Sequence, residues 1–154
     1  ALAGPLADEN LMVRMECAIA LGKLRFDRAD PRRETVTRRL RDRLVFERDE
    51  TGRLYEREFL VRVAMVNSLI QVGTRLGASA LHDVASRLAA DLDGDRGEPG
   101  VDASDKGLLD RVLAGLARLC NVPPEEAARH RAQSDELAPH LAWWAVRIAR
   151  LPES

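Results

Sequence analysis

The chain has 154 residues, 45% of them apolar and 32% charged, with a formal net charge of −1. That length supports one compact unit with a real core, and the near-neutral charge gives no global attraction to nucleic acid or to a membrane surface. Only 4% of the residues are aromatic, so Leu, Val, Ala, Ile and Met must build the core, a composition that leans all-α.

The apolar spacing is helical almost throughout, and no stretch sustains period-2 alternation. Eight helices are predicted. The first is a short piece before "ADEN". The second runs from Asn10 to Arg25. After "DRADP", a third runs from Pro31 to about Phe46, with Pro31 near its first turn. "RDETG" is a turn at Gly52. The fourth spans Leu54 to Leu76 and ends near Gly77, and the fifth runs from Ser79, a plausible N-cap, to Asp91. The sixth follows Ser104 and ends near Cys120. "NVPPEE" opens the seventh, with prolines and then acids in the first turn. Ser134 and Pro139 introduce the eighth, which ends at Leu151.

The second helix, "LMVRMECAIALGKL", is apolar on nearly every side and rich in small residues. Its pattern recurs. "VRMECAIALGKL" (13–24) aligns with "VRVAMVNSLIQV" (61–72) at a shift of 48, and a further 47 residues bring "LLDRVLAGLARL" (108–119) into line. A looser copy is "HLAWWAVRIARL" (140–151). A helix–turn–helix unit recurring at this period is the signature of an α-solenoid.

These residues resemble HEAT repeats, through Asp8, Val13, Arg14, Ala18, Ala20, Leu21, Gly22 and Leu24. The second copy keeps Val61 and Arg62, with Glu56 in the acid slot and Ile70 in place of the glycine. The resemblance implies an all-α, right-handed α-α superhelix of about four helical pairs, with repeats over about 1–26, 31–77, 78–121 and 122–152. It implies that Asp8 and Arg14 bridge a turn and that Arg14 and Arg62 are architectural. An inner solenoid helix touches its own partner and both neighbouring units, which explains its apolar circumference.

The resemblance also implies a concave surface lined by the second helices. In the second helix the expected core stripe is Val13, Cys17, Ala20, Leu21 and Leu24. That leaves Met12, Met15, Glu16, Ile19 and Lys23 for the groove. The equivalent positions are Leu60, Val63, Ala64, Asn67 and Gln71, then Gly107, Asp110, Arg111, Ala114 and Arg118, with Trp143, Trp144 and Arg147 at the far end. The partner-binding set is therefore Met15, Glu16, Ile19, Asn67, Gln71, Asp110, Arg111, Arg118, Trp144 and Arg147. Such a groove, apolar at one end and Arg/Trp-bearing at the other, suits a protein or peptide of apolar and acidic character. The alternative is that Met12, Met15 and Ile19 pack on a preceding repeat and the tryptophans cap the C-terminal end.

Other chemistry is thinner. "DLDGDRGEPGVD" (91–102) places Asp91, Asp93, Asp95 and Asp102 at calcium-loop positions, but Arg96 stands where the glycine belongs, and a solvated acidic loop is the simpler reading. "PRRETVTRRLRDRL" (31–44) is the densest basic run, mixed with Glu34 and Asp42, and reads as a solvated outer helix. The first 77 residues carry 15 basic and 12 acidic side chains and the rest carry nine and 13, so nucleic-acid binding finds little support. His82, His130 and His140 lie far apart in sequence without metal-ligand spacing, and His82 and His130 read as surface residues. Cys17 and Cys120 read as free, buried thiols. No metal, cofactor or catalytic residue is expected.

All but two of the 24 basic residues are arginine, a codon-level sign of a GC-rich genome. No apolar run is long enough for a membrane span and there is no signal peptide, so a cytoplasmic location is expected. The chain begins at Ala1 and reads as a piece of a longer bacterial protein. The expected role is a non-catalytic scaffold or adaptor. A nucleic-acid-binding, base-repair-related protein and a purely structural spacer remain as alternatives.

Overall fold

The computed structural model describes residues 4–24, 27, 29–94 and 103–152. Among the described residues there are seven α-helices and no β-sheet. A 3₁₀ turn, Gly4–Ala7, precedes α1 (Leu11–Lys23). Helix α2 (Pro31–Arg41) continues into a π-helical turn, Asp42–Phe46. Then come α3 (Phe59–Val72), α4 (Thr74–Gly94), α5 (Ala103–Leu119), α6 (Pro124–Arg131) and α7 (Ala138–Ala149).

Local chemistry explains most of the boundaries. The Asn10 side chain accepts a hydrogen bond from the Met12 amide at 2.9 Å and caps α1. Asp30 caps α2 in the same way, with Pro31 at the first helical position. Between α2 and α3, Asp49 Oδ1 accepts from the amides of Thr51 and Arg53, closing a turn in which Gly52 has φ +82°.

Two expected boundaries are corrected. Residues 54–58 are not helical: Leu54 forms an isolated antiparallel bridge with Arg48, and α3 starts five residues after the expected Leu54. The break between α3 and α4 lies at Gly73–Thr74, both at positive φ, rather than at Gly77. The expected repeat boundary at 77/78 therefore falls inside α4, and Ser79 is not a cap. Gly77 answers a different need. A Cβ there would stand 2.7 Å from the Leu69 carbonyl oxygen, so it lets the start of α4 lie against the end of α3.

Helix α1 lies along α3, and α3 along α5. Helix α2 packs on α4 and α3, and α4 also contacts α5 and α7. The core between these layers is aliphatic: Leu40, Leu44, Met65, Leu69, Leu81, Leu88, Leu108 and Leu116 are essentially inaccessible, and Trp144 closes one end. Each such side chain contributes roughly 1.5–3 kcal/mol through burial.

Ion pairs between helices recur at a nearly constant sequence offset. Arg14 reaches Glu56, 42 residues on, and Arg62 reaches Asp105, 43 on. In the other layer Arg41 reaches Asp83, 42 on, and Arg48 reaches Asp91, 43 on. The C-terminal end departs from this regularity. A fourth pair stacked like the third would set α7 along α5, whereas α7 lies principally against α4. Helix α6, only eight residues long and opened by Pro123–Pro124, forms a short, weakly packed arm.

Candidate functional site

The α1–α3 seam is built on small residues. Gly22 is buried, and a Cβ added to it would meet Ser68 Oγ at 2.6 Å and Gln71 Oε1 at 2.7 Å. Ser68 Oγ donates to the Ala18 carbonyl across the same contact. Ser68 and Gln71 thus occupy the space that a side chain at position 22 would need. At the next seam Ile70, which holds the glycine slot in α3, lies against Gly115 of α5, where a Cβ would stand 2.7 Å from it.

This close approach sets which face of α1 is buried. Ala18, Leu21 and Gly22 are inside and Cys17 is half-buried. Val13, Ala20 and Leu24, expected in the core, are exposed, because α1 turns Ala18 and Gly22 toward Ser68 of α3. Arg14 anchors the seam: its Nε and Nη2 donate to the two carboxylate oxygens of the fully buried Glu56 at 2.8 and 3.2 Å. Its Nη1 donates to the carbonyls of Asp8 and Glu9. Arg14 therefore meets Asp8 through the backbone, while the Asp8 carboxylate accepts from the Asn10 amide.

Beside the seam is a depression of about 220 Å³, lined by Ile19 of α1 and by Leu60, Val63, Ala64, Asn67, Ser68 and Gln71 of α3. Three residues chosen from the sequence, Ile19, Asn67 and Gln71, meet here. Leu60 is 64% exposed at its edge. Asn67 and Gln71 are exposed and supply amide donors and acceptors, and Ile19 is half-buried.

The remaining expected residues are dispersed. Met15 is half-buried against the core and Glu16 is exposed. Asp110 lines a separate, larger depression of about 870 Å³ with charges of both signs, including Lys106, Arg131 and Glu136. Arg111 and Arg118 are exposed on α5. Trp144 is fully buried and so belongs to the core rather than to a groove surface. Arg147 is half-buried, its guanidinium 3.4 Å from the centroid of the Trp143 ring.

The histidines correct the sequence reading most. His130 and His140, ten residues apart, bring their Nδ1 atoms to 3.0 Å. His140 also accepts from Trp144 Nε1 at 3.1 Å, and Trp143 stacks on both imidazoles. Burial pushes His140 down to about 4, helped by the nearby His130 and Arg131. His82, expected at the surface, is half-buried with Nε2 2.8 Å from the Leu141 carbonyl. The i, i+4 spacing of His140 and Trp144 is the signal that the sequence carries for this contact.

Both cysteines are half-buried thiols outside any disulfide, and burial raises both. Among the described residues no three His, Cys, Asp or Glu side chains cluster to hold a metal ion. Most of the calcium-like loop, residues 95–102, lies outside the described residues. Its first aspartate, Asp91, accepts from Arg48 at 3.0 Å. Among the described residues no helix is long and apolar enough to cross a membrane. Comparison with protein-family models, curated proteins and solved structures finds no match for this chain.

Proposed function

We propose that this chain is a non-catalytic binding module, a HEAT-like right-handed α-solenoid that holds a peptide or protein segment along the α1–α3–α5 face. The observation that carries the reading is the depression at the α1–α3 seam. It joins Ile19, Asn67 and Gln71 to the exposed Leu60, an apolar floor flanked by two amides. An apolar anchor with neighbouring hydrogen-bond groups is the usual chemistry of a peptide subsite. The exposed Arg111 and Arg118 on α5 would favour acidic residues further along the bound segment. The near-constant offset of the inter-unit ion pairs in both layers supports the solenoid reading.

Binding to nucleic acid fits less well. Of the α2 arginines, Arg32, Arg38, Arg39 and Arg41 all pair with carboxylates of their own chain, so they are poorly placed to neutralise phosphates.

The test is a selection of random displayed peptides on the full chain, with counter-selection on the Leu60→Asp, Asn67→Glu double variant. Peptides with an apolar anchor that bind the parent and lose at least about tenfold in affinity on the variant support the module. Peptides that bind both proteins equally, or an empty selection, overturn it.

A further inference from the structure

The C-terminal helices carry a polar chain whose proton positions follow from geometry alone. Trp144 Nε1 can only donate, and it points at His140 Nε2 from 3.1 Å. His140 Nε2 is therefore an unprotonated acceptor. A neutral imidazole with a bare Nε2 carries its hydrogen on Nδ1, and that Nδ1 lies 3.0 Å from His130 Nδ1. His130 must then accept at Nδ1 and hold its own hydrogen on Nε2. The chain runs in one direction, Trp144 to His140 to His130, and it links the interior of α7 to α6.

The Trp144–His140 bond requires a neutral His140, and the His140–His130 bond requires a neutral His130. A proton added to His140 puts two N–H groups face to face at Trp144. A proton added to His130 puts two at the His130–His140 contact. Either event turns an attractive contact into a repulsive one in a site where His140 is 4% exposed and Trp144 is inaccessible.

The surroundings add to the cost of a positive charge. From α6, Arg131 acts on His140, and the exposed Arg129 adjoins His130 in sequence. From α7, Arg147 lies over the Trp143 ring that stacks on both histidines. Glu126 of α6, four residues before His130, stands 3.9 Å from Arg147 and is half-exposed. Cys120, after α5, is neutral, and His82 of α4 is engaged with the Leu141 carbonyl. A cation–π attraction of a charged His130 to Trp143 would be shared with Arg147, which already occupies that ring.

We propose that His130, His140 and Trp144 form a proton-sensitive clasp: protonation of His130 opens the α6–α7 contact, and protonation of His140 opens its contact with Trp144. The arm it controls is the least regular part of the fold, and a depression of about 280 Å³ opens beneath it. Leu113 and Ala117 of α5, Ala127 of α6, and His140 and Trp144 line that depression. Release would enlarge this apolar opening and expose Trp144, while the α1–α4 seams, which contain no histidine of the clasp, would stay closed.

The test is long-range proton–nitrogen NMR of the full chain during acidification from neutral pH. At neutral pH His140 should show the Nδ1–H tautomer and His130 the Nε2–H tautomer. On acidification the Trp144 indole resonance should shift in the same step in which either ring becomes doubly protonated, with the amides of α1 and α3 unmoved. An Nε2–H tautomer for His140, or protonation of either ring with no change at Trp144, overturns the clasp. His130→Asn gives a second reading, because its Oδ1 can accept from His140 but takes up no proton. The midpoint of the tryptophan fluorescence change should move to lower pH by about one unit, a tenfold change in proton concentration. An unchanged midpoint overturns the role of His130.

Discussion

The α1–α3 seam and the α6–α7 arm solve the same problem, the burial of polar groups, in opposite ways. At the seam a full charge, Glu56, is buried and met by a fork of matching charge, Arg14, which also satisfies two carbonyls. Its bonds join a guanidinium to a carboxylate and to two carbonyls, with no imidazole among them. In the arm the buried groups are neutral imidazoles and an indole, linked by hydrogen bonds that survive only while no proton is added. The seam is therefore a fixed joint and the arm a conditional one. The packing agrees: at the seams Gly22 and Gly115 receive side chains of the neighbouring helix, whereas the arm is a short helix with a depression beneath it.

The largest expected effect lies at the fixed joint. Arg14→Met strands the Glu56 carboxylate in the interior and should cost about 3–5 kcal/mol in urea denaturation. The double variant Arg14→Met, Glu56→Met should recover most of that loss, since an apolar pair of similar volume needs no counter-charge. If the single variant unfolds at the parent's midpoint, the seam is not held as described. Gly22→Ala should come next. Its new methyl would press on Ser68, costing about 1–3 kcal/mol, and Ser68→Gly beside it should relieve part of the cost.

The conditional joint should separate from the fixed one by pH. The folded state holds His140 down to about 4 against an ordinary value of 6.5. Between those values the unfolded chain binds a proton that the folded chain does not. Stability should thus be complete above pH 6.5, fall as the pH drops toward 4, and level off below. Urea midpoints across this window should decline in the parent and decline less in His140→Gln. Smallest of all is the surface. Arg38→Ala breaks an ion pair whose side chains are both about 60% exposed, and it should change stability by less than about 1 kcal/mol. A larger loss would mean that exposed pairs matter as much as the seams.

Much of this architecture was legible in the sequence. Helix positions followed from apolar period, caps and prolines, since Asn10, Asp30–Pro31 and Pro123–Pro124 act locally. The rotation of α1 was not legible. A helix apolar all round has no strong side, so its buried face is decided by the neighbour, here Ser68 against Gly22. The α3–α4 break was missed because "GTRLG" offers two glycines, and only the fold shows that Gly73 turns the chain while Gly77 makes room for a carbonyl. Seven of the ten expected groove residues lie outside the seam depression; Trp144 and Met15 pack toward the core, and α7 settles on α4. The histidine pair depends on how α7 folds back to bring His140 beside His130, which spacing alone does not reveal.

The most direct measurement for the binding role is amide chemical-shift mapping of the full chain with a peptide from the selection. A bound segment on the seam should move the resonances of Ile19, Leu60, Asn67 and Gln71, and extend toward Arg111 and Arg118 on α5. Shifts confined to α2 and the outer face of α4, with the seam unmoved, would contradict a binding face on α1, α3 and α5.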